Sequence, residues 1–311
     1  MFDNILGQDK AKRIITNSLR KNRISHGYLF EGPSGIGKME FAIQFSKMLL
    51  GIENIENSPD IKVIEPDGAS FKISQIRDIC SDILIKPYGQ KKIYILKDAH
   101  KMTIQAQNSL LKTLEEPPNY SVIILLAQNS YALLDTIKSR CEKIKFSPIS
   151  QKEIEYYLIN NNGIPKDRAR VVASFSSGII SKALNLINNE EFNEIRDWVE
   201  KFIDLIFNGD KVSLMNIPSY LENYKHDIEN ILDMIITYFR DVMVVKEEIG
   251  EELIINLDKL ELINDISKKL TYFQVSSIID IIEETKKYIK SNCNFNLSIE
   301  VMVLNIQEVI K

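Results

Sequence analysis

The chain has 311 residues, 44% of them hydrophobic and 26% charged, which is enough apolar material for buried cores and too much for global disorder. Its 39 basic side chains face 43 acidic ones, a formal charge of −4, which excludes a molecule basic all round and built to sheathe nucleic acid. Three scattered cysteines, Cys80, Cys141 and Cys293, exclude a disulfide framework and a Cys-x-x-Cys metal cluster.

The length points to two or three domains. The opening Met-Phe-Asp-Asn-Ile-Leu-Gly-Gln lacks the order of a signal peptide, and runs such as Val122–Ala127 are too short to span a bilayer, so a reducing, cytoplasmic location is expected. From the start to about Ser147, short apolar runs alternate with helical patterns, as in a parallel sheet with crossover helices. The strands are predicted at Gly27–Glu31, Ile61–Ile64, Lys92–Leu96, Val122–Ala127 and Lys143–Phe146, each read as a buried strand. Helices are predicted at Asp9–Lys21, Lys38–Leu50, Ile73–Ile85 and Ile104–Glu115. The pattern changes at Ser147-Pro148-Ile149-Ser150, where Ser150 and Glu153 have the spacing of a helix capping box. Three short helices follow: around Glu153–Ile159, after Pro165, and after Ser176-Ser177-Gly178. The rest carries Ile, Leu, Phe and Met at three- and four-residue spacing with little turn chemistry, the pattern of an all-helical bundle. The expected domains are 1–148, 149–189 and 190–311.

Gly32-Pro-Ser-Gly-Ile-Gly-Lys38 lies between a predicted strand and a predicted helix, the context a phosphate-binding loop requires. Gly32, Gly35 and Gly37 let backbone N–H groups curl around a phosphate, the helix N-terminus adds partial positive charge, and Lys38 can reach the terminal phosphates. The next residue should be Ser or Thr to ligate Mg²⁺. It is Met39, whose thioether is no hard oxygen ligand. After the strand Ile93–Leu96 an active ATPase carries Asp and then Glu; here Lys97 takes the first place and Asp98, one methylene shorter, the second. No metal is expected. The loop is expected to be empty or to hold ATP or ADP weakly, without magnesium.

Together, Ser25–Lys38, Asn108-Ser-Leu-Leu-Lys-Thr-Leu-Glu-Glu-Pro-Pro118 and Ser139-Arg140-Cys141 resemble the bacterial clamp-loader subunits of the AAA+ class. The resemblance covers residues 1 to about 190, and Asn294–Leu304 is similar, more loosely, to the family's last collar helix. It implies an α/β AAA+ P-loop core with helices on both faces of a parallel sheet, a three-helix lid and an all-α collar that joins five subunits into an open ring. The implied partners are the tau/gamma and delta subunits of DNA polymerase III, with the sliding clamp and primed DNA engaged through the assembly. The broken motifs resemble a member that does not hydrolyse ATP, so on its own the chain is expected not to be an enzyme.

The resemblance also implies roles. Arg140 would be an arginine finger given in trans to a neighbour's ATP site; the plain alternative is a strand-end salt bridge. Asn129 matches the first sensor, against which stands a simple polar exit from the strand. Active relatives carry Gly-x-x-Arg-x-Ala-Leu in the lid, whereas Gly178-Ile-Ile-Ser181-Lys182-Ala-Leu184 has Ser181 in place of that Arg, with Lys182 turned about 100° away round the helix. Many relatives hold a four-cysteine zinc module between the loop and the second strand. Residues 50–64 have no cysteine or histidine, so no zinc is expected.

Seven basic and three acidic side chains in the first 38 residues read as a solvated face, or more sharply as a contact for DNA or a subunit. In Asn108–Glu116 the leucines 110, 111 and 114 serve packing, which leaves Lys112, Glu115 and Glu116 for an outward role. His26, His100 and Trp198 are expected to be structural. Two other readings compete. An ATP-hydrolysing tau/gamma-like subunit or related motor is opposed by Met39, Lys97 and Ser181, and a free-standing DNA-binding protein by the charge of −4.

Overall fold

The computed structural model of the chain describes residue 2, residues 4–54 and residues 58–311. Met1 and Asp3 of the opening stretch, and residues 55–57 of the cysteine-free segment, lie outside the described residues. Contacts divide the chain into two units, one of residues 1–161 with 176–184 and one of residues 162–175 with 185–311.

In the first unit the order is α1 (Asp9–Arg20), β1 (Gly27–Glu31), α2 (Lys38–Leu50), β2 (Ile61–Ile64), α3 (Ile73–Asp82), β3 (Lys92–Leu96), α4 (Ile104–Glu115), β4 (Ser121–Ala127), α5 (Asp135–Lys138), β5 (Glu142–Lys145) and α6 (Gln151–Asn162). The five strands form one parallel sheet in the order β2-β3-β4-β1-β5. Strand alternation decides which layer each side chain joins. Tyr28 and Phe30 of β1 turn to α2, where Tyr28 meets Phe45 edge-on at 5.2 Å and Phe30 meets Phe41 at 5.7 Å. Leu29 turns to the other face and joins Leu125, Tyr94, Ile76 and Leu110.

β1, β3 and β4 are buried almost throughout, as their unbroken apolar runs require. β2 and β5 are not. They close the two sheet edges and expose Lys62, Val63, Lys143 in part and Lys145, so burial was expected of two strands that instead face water along one side. β5 also starts one residue earlier than expected, although Phe146 N still donates to Glu31 O at 2.7 Å.

α3 ends three residues short of the predicted Ile85. The Lys92 ammonium donates to the carbonyls of Asp82 at 2.7 Å and Ile85 at 3.3 Å, so a side chain from the sheet satisfies groups a longer helix would have used, and Pro87 disfavours helix before it. The Ser150–Glu153 capping box forms as its spacing predicts: Glu153 N donates to Ser150 Oγ at 3.3 Å and Ser150 N to Glu153 Oε2 at 3.2 Å. Next come α7 (Lys166–Phe175), which belongs to the second unit, and α8 (Ile180–Ile187), whose first half packs with the first.

The second unit continues with α9 (Glu190–Asn208), α10 (Lys211–Met215), α11 (Ile217–Glu222), α12 (Ile228–Lys246), α13 (Leu260–Lys269), α14 (Tyr272–Lys290) and α15 (Phe295–Ile310). One apolar core runs through it, from Val171 of α7 to Ile306 of α15. Trp198 stacks on Tyr220 at 5.0 Å and Phe202 at 5.4 Å, so it serves packing as expected. Asp241 of α12 is fully buried and accepts hydrogen bonds from Ile255 N, Asn256 N and Asn256 Nδ2 at 2.8–3.0 Å, which fastens the 254–256 strand of backbone to the helix. Among the described residues no helix is long and apolar enough to cross a membrane.

Candidate functional site

The site is built at the carboxyl ends of the strands, where open parallel sheets place their ligands. β1 ends at Glu31, and the chain turns through Gly32–Gly37 into α2. Gly32 is obligatory by contact: a Cβ there would stand 2.4 Å from Phe146 O, closer than any real side chain sits. Gly35 and Gly37 take φ of +73° and +98°, the left-handed conformations a phosphate-type loop needs.

Lys38 is buried, and its ammonium donates to Gly32 O and Pro33 O at 2.6 Å each. Burial pushes its pKa down to about 8, against the pull of Asp98 and Glu40. Met39 follows at the first turn of α2. Asp98, at φ +54°, pairs with Lys101 at 2.9 Å. Lys97 does not lean on a metal position: its ammonium lies 2.8 Å from Glu65 Oε1, and this bond and charge raise its pKa. Ser181 meets the loop directly, its N–H donating to Gly35 O at 3.2 Å, and a Cβ on Gly35 would fall 1.8 Å from Ser181 Oγ. The apex of the loop therefore faces a neutral hydroxyl.

The loop's glycines suit a phosphate, but the residue after its lysine does not suit magnesium. That residue, Met39, offers only a thioether. Among the described residues no group of three or more His, Cys, Asp or Glu is placed to hold a metal.

Asn129 is exposed at the end of β4, and its Oδ1 accepts from Tyr131 N at 3.2 Å. Beside it Ser130 N donates to Glu31 Oε1 at 2.8 Å, and Lys143 reaches both Ser130 Oγ at 2.9 Å and Glu31 Oε2 at 2.5 Å. Burial pushes Glu31 up, but the bonds from Lys143 and Ser130 outweigh it and hold the carboxyl below its usual range.

Arg140 lies apart from the loop, between α5 and β5. Its Nη2 is 2.5 Å from Glu115 Oε1, and its Nη1 donates to Thr136 O at 2.9 Å and to Ser139 Oγ at 3.4 Å. The side chain keeps 33% of its surface exposed. The next residue, Cys141, is buried, and burial pushes its thiol up to about 12.

Sequence reasoning passed over Gln107. It is 1% exposed on α4; its Nε2 donates to Met102 O at 3.1 Å and Ala132 O at 2.9 Å, and its Oε1 accepts from Leu134 N at 2.8 Å. It thereby fastens α4 to the segment leading into α5. The signal was present: Gln107 occupies the same helical stripe as Leu110, Leu111 and Leu114, and a polar side chain there must find buried partners.

A five-stranded parallel sheet with a glycine loop between β1 and α2, followed by helices, defines an AAA+ P-loop core with a C-terminal helical region. Residues 7–150 match the family described as "DNA polymerase III, delta subunit", and residues 191–308 its "C terminal" counterpart. The chain is 32% identical to DNA polymerase III subunit delta' of Bacillus subtilis, over 97% of this chain and 96% of that one. It is 26% identical to subunit tau of the same organism, over 98% of this chain and 61% of that longer protein. A RuvB Holliday junction branch migration motor from Thermotoga maritima superposes over 65% of each chain with a TM-score of 0.48 and 16% identity. The chain belongs to the DNA polymerase III delta-prime family of clamp-loader subunits.

Proposed function

We propose that this clamp-loader subunit is silent as an ATPase and donates Arg140 in trans to the ATP site of a neighbouring subunit. The observation that carries the silent half is the start of the helix behind the loop: Met39 stands where Mg²⁺ needs a hydroxyl. Hydrolysis requires the lysine on the phosphates and a hydroxyl on Mg²⁺. Ser181 in place of a guanidinium, and Lys97 in place of a metal-holding Asp, support the same reading. The loop then takes ATP or ADP weakly or not at all, and no metal.

For the finger, Arg140 is held at a fixed place, partly open to solvent and outside its own subunit's loop, as a group serving another subunit must be. Such a group is worth about 10³–10⁵ in rate where it reaches a transferring phosphoryl. The partners on this reading are tau/gamma and delta subunits in a five-membered ring, which engages the sliding clamp and primed DNA collectively. Residues 149–189 then serve as the lid and 190–311 as the collar.

Two measurements test it. The purified chain should show no magnesium-dependent ATP turnover that Lys38→Ala abolishes; such turnover would overturn the silent half. In the assembly reconstituted with ATP-hydrolysing subunits, Arg140→Ala should slow DNA-stimulated hydrolysis at least 10-fold while leaving the isolated chain folded. Unchanged turnover would overturn the finger.

A further inference from the structure

Glu115 is the last residue of α4, at the end of the Leu-Leu-Lys-Thr-Leu-Glu-Glu-Pro-Pro string, and its Oε1 lies 2.5 Å from Arg140 Nη2 of the Ser-Arg-Cys string. Stability does not account for a carboxylate there. A helix C-terminus carries partial negative charge and disfavours an acid in its last turn. The pair is also half-exposed, 33% for Arg140 and 47% for Glu115, a setting in which ion pairs contribute little to stability.

Its geometry has a different consequence. Both terminal nitrogens of the guanidinium are engaged, Nη2 by Glu115 and Nη1 by Thr136 O and Ser139 Oγ. A guanidinium has five N–H donors, so donors remain for a ligand after these contacts are made. A free arginine side chain has many rotamers to lose, and a planar fork pinned beforehand loses less of that freedom on meeting a phosphate. The pin is itself rigid, because Leu110 and Leu114 of α4 are buried and fix the backbone that carries Glu115.

We infer that Glu115 is the positioning residue of Arg140, orienting the guanidinium for a phosphate of the neighbouring subunit. The inference rests on the trans-finger reading above, and the test separates the two. In the reconstituted assembly, DNA-stimulated ATP hydrolysis is measured for Arg140→Ala, Glu115→Ala, Glu115→Gln and the double variant Arg140→Ala with Glu115→Ala. Glu115→Ala should lower kcat about 10-fold with KM for ATP unchanged, since loss of orientation acts on the transition state. Glu115→Gln, which keeps an acceptor oxygen at the same reach, should recover part of the rate, and the double variant should be no slower than Arg140→Ala alone. If Arg140→Ala itself changes nothing, the finger reading fails and takes the inference with it. If Arg140→Ala slows turnover but Glu115→Ala does not, or the two effects multiply, only the positioning role is overturned. The same holds if Glu115→Gln is no better than Glu115→Ala.

Discussion

A single lysine carries much of the character of the phosphate loop. Burial lowers the Lys38 pKa to about 8, against about 10.4 in an unfolded chain. Between those values the unfolded state binds more protons, so stability should rise with pH from about 8 to 10, and below pH 8 the buried charge opposes folding in full. Urea unfolding at pH 7.5 and 9.5 should show that rise in the natural chain and a smaller one in Lys38→Met. Gly32 makes a second, purely steric point. Its missing Cβ leaves room for Phe146 O, so Gly32→Ala must displace β5 and should destabilise the chain by about 3 kcal/mol, measured by chemical denaturation. Cys141, buried and with its thiol raised to about 12, should alkylate far more slowly at pH 8 than exposed Cys293, as read by mass spectrometry.

At the scale of elements, one carboxylate joins α3 to two strands. Asp82 accepts from Lys62 at 2.7 Å and from the Tyr94 hydroxyl at 2.6 Å, and lies 3.2 Å from Lys92. Burial alone would raise its pKa, but these partners outweigh it and pull it down to about 2. Its contribution is therefore complete above the unfolded value of about 3.9 and is lost as pH falls from about 4 through 2. Asp82→Asn should flatten that part of an acid unfolding curve followed by circular dichroism. The cluster also shows why local reading stopped where it did. The start of α3, the capping box at Ser150 and the glycine loop are short-range chemistry and were legible. The end of α3 was not, because Lys92 from another strand satisfies the carbonyls of Asp82, at its end, and of Ile85 beyond it. The exposure of edge strands β2 and β5 escaped for the same reason: Ile61-Lys-Val-Ile64 and Lys143-Ile-Lys-Phe146 do not say whether a strand has neighbours on one side or two.

The whole molecule comprises two units, and α7 belongs to the second. Val171 joins the helical core, and Arg170 Nη1 donates to Glu251 O at 3.0 Å and Ile254 O at 3.1 Å. A fragment of residues 162–311 should thus melt cooperatively and at a higher temperature than one of residues 190–311, which loses those contacts; equal melting temperatures by calorimetry would show that α7 adds nothing.

The amino-acid sequence by itself determined the alternating α/β core, the helical C-terminal region, the phosphate-type loop and the absence of its magnesium hydroxyl. Those features depend on residue type and near spacing, which the chain carries in linear order. Only the tertiary structure decided that Lys38 bonds the loop's own carbonyls, that Ser181 lies on Gly35 and that Glu115 holds Arg140. Each of these joins side chains or backbone through the packing of separate elements, and their directions become determinate only when the sheet and helices have set the distances between them.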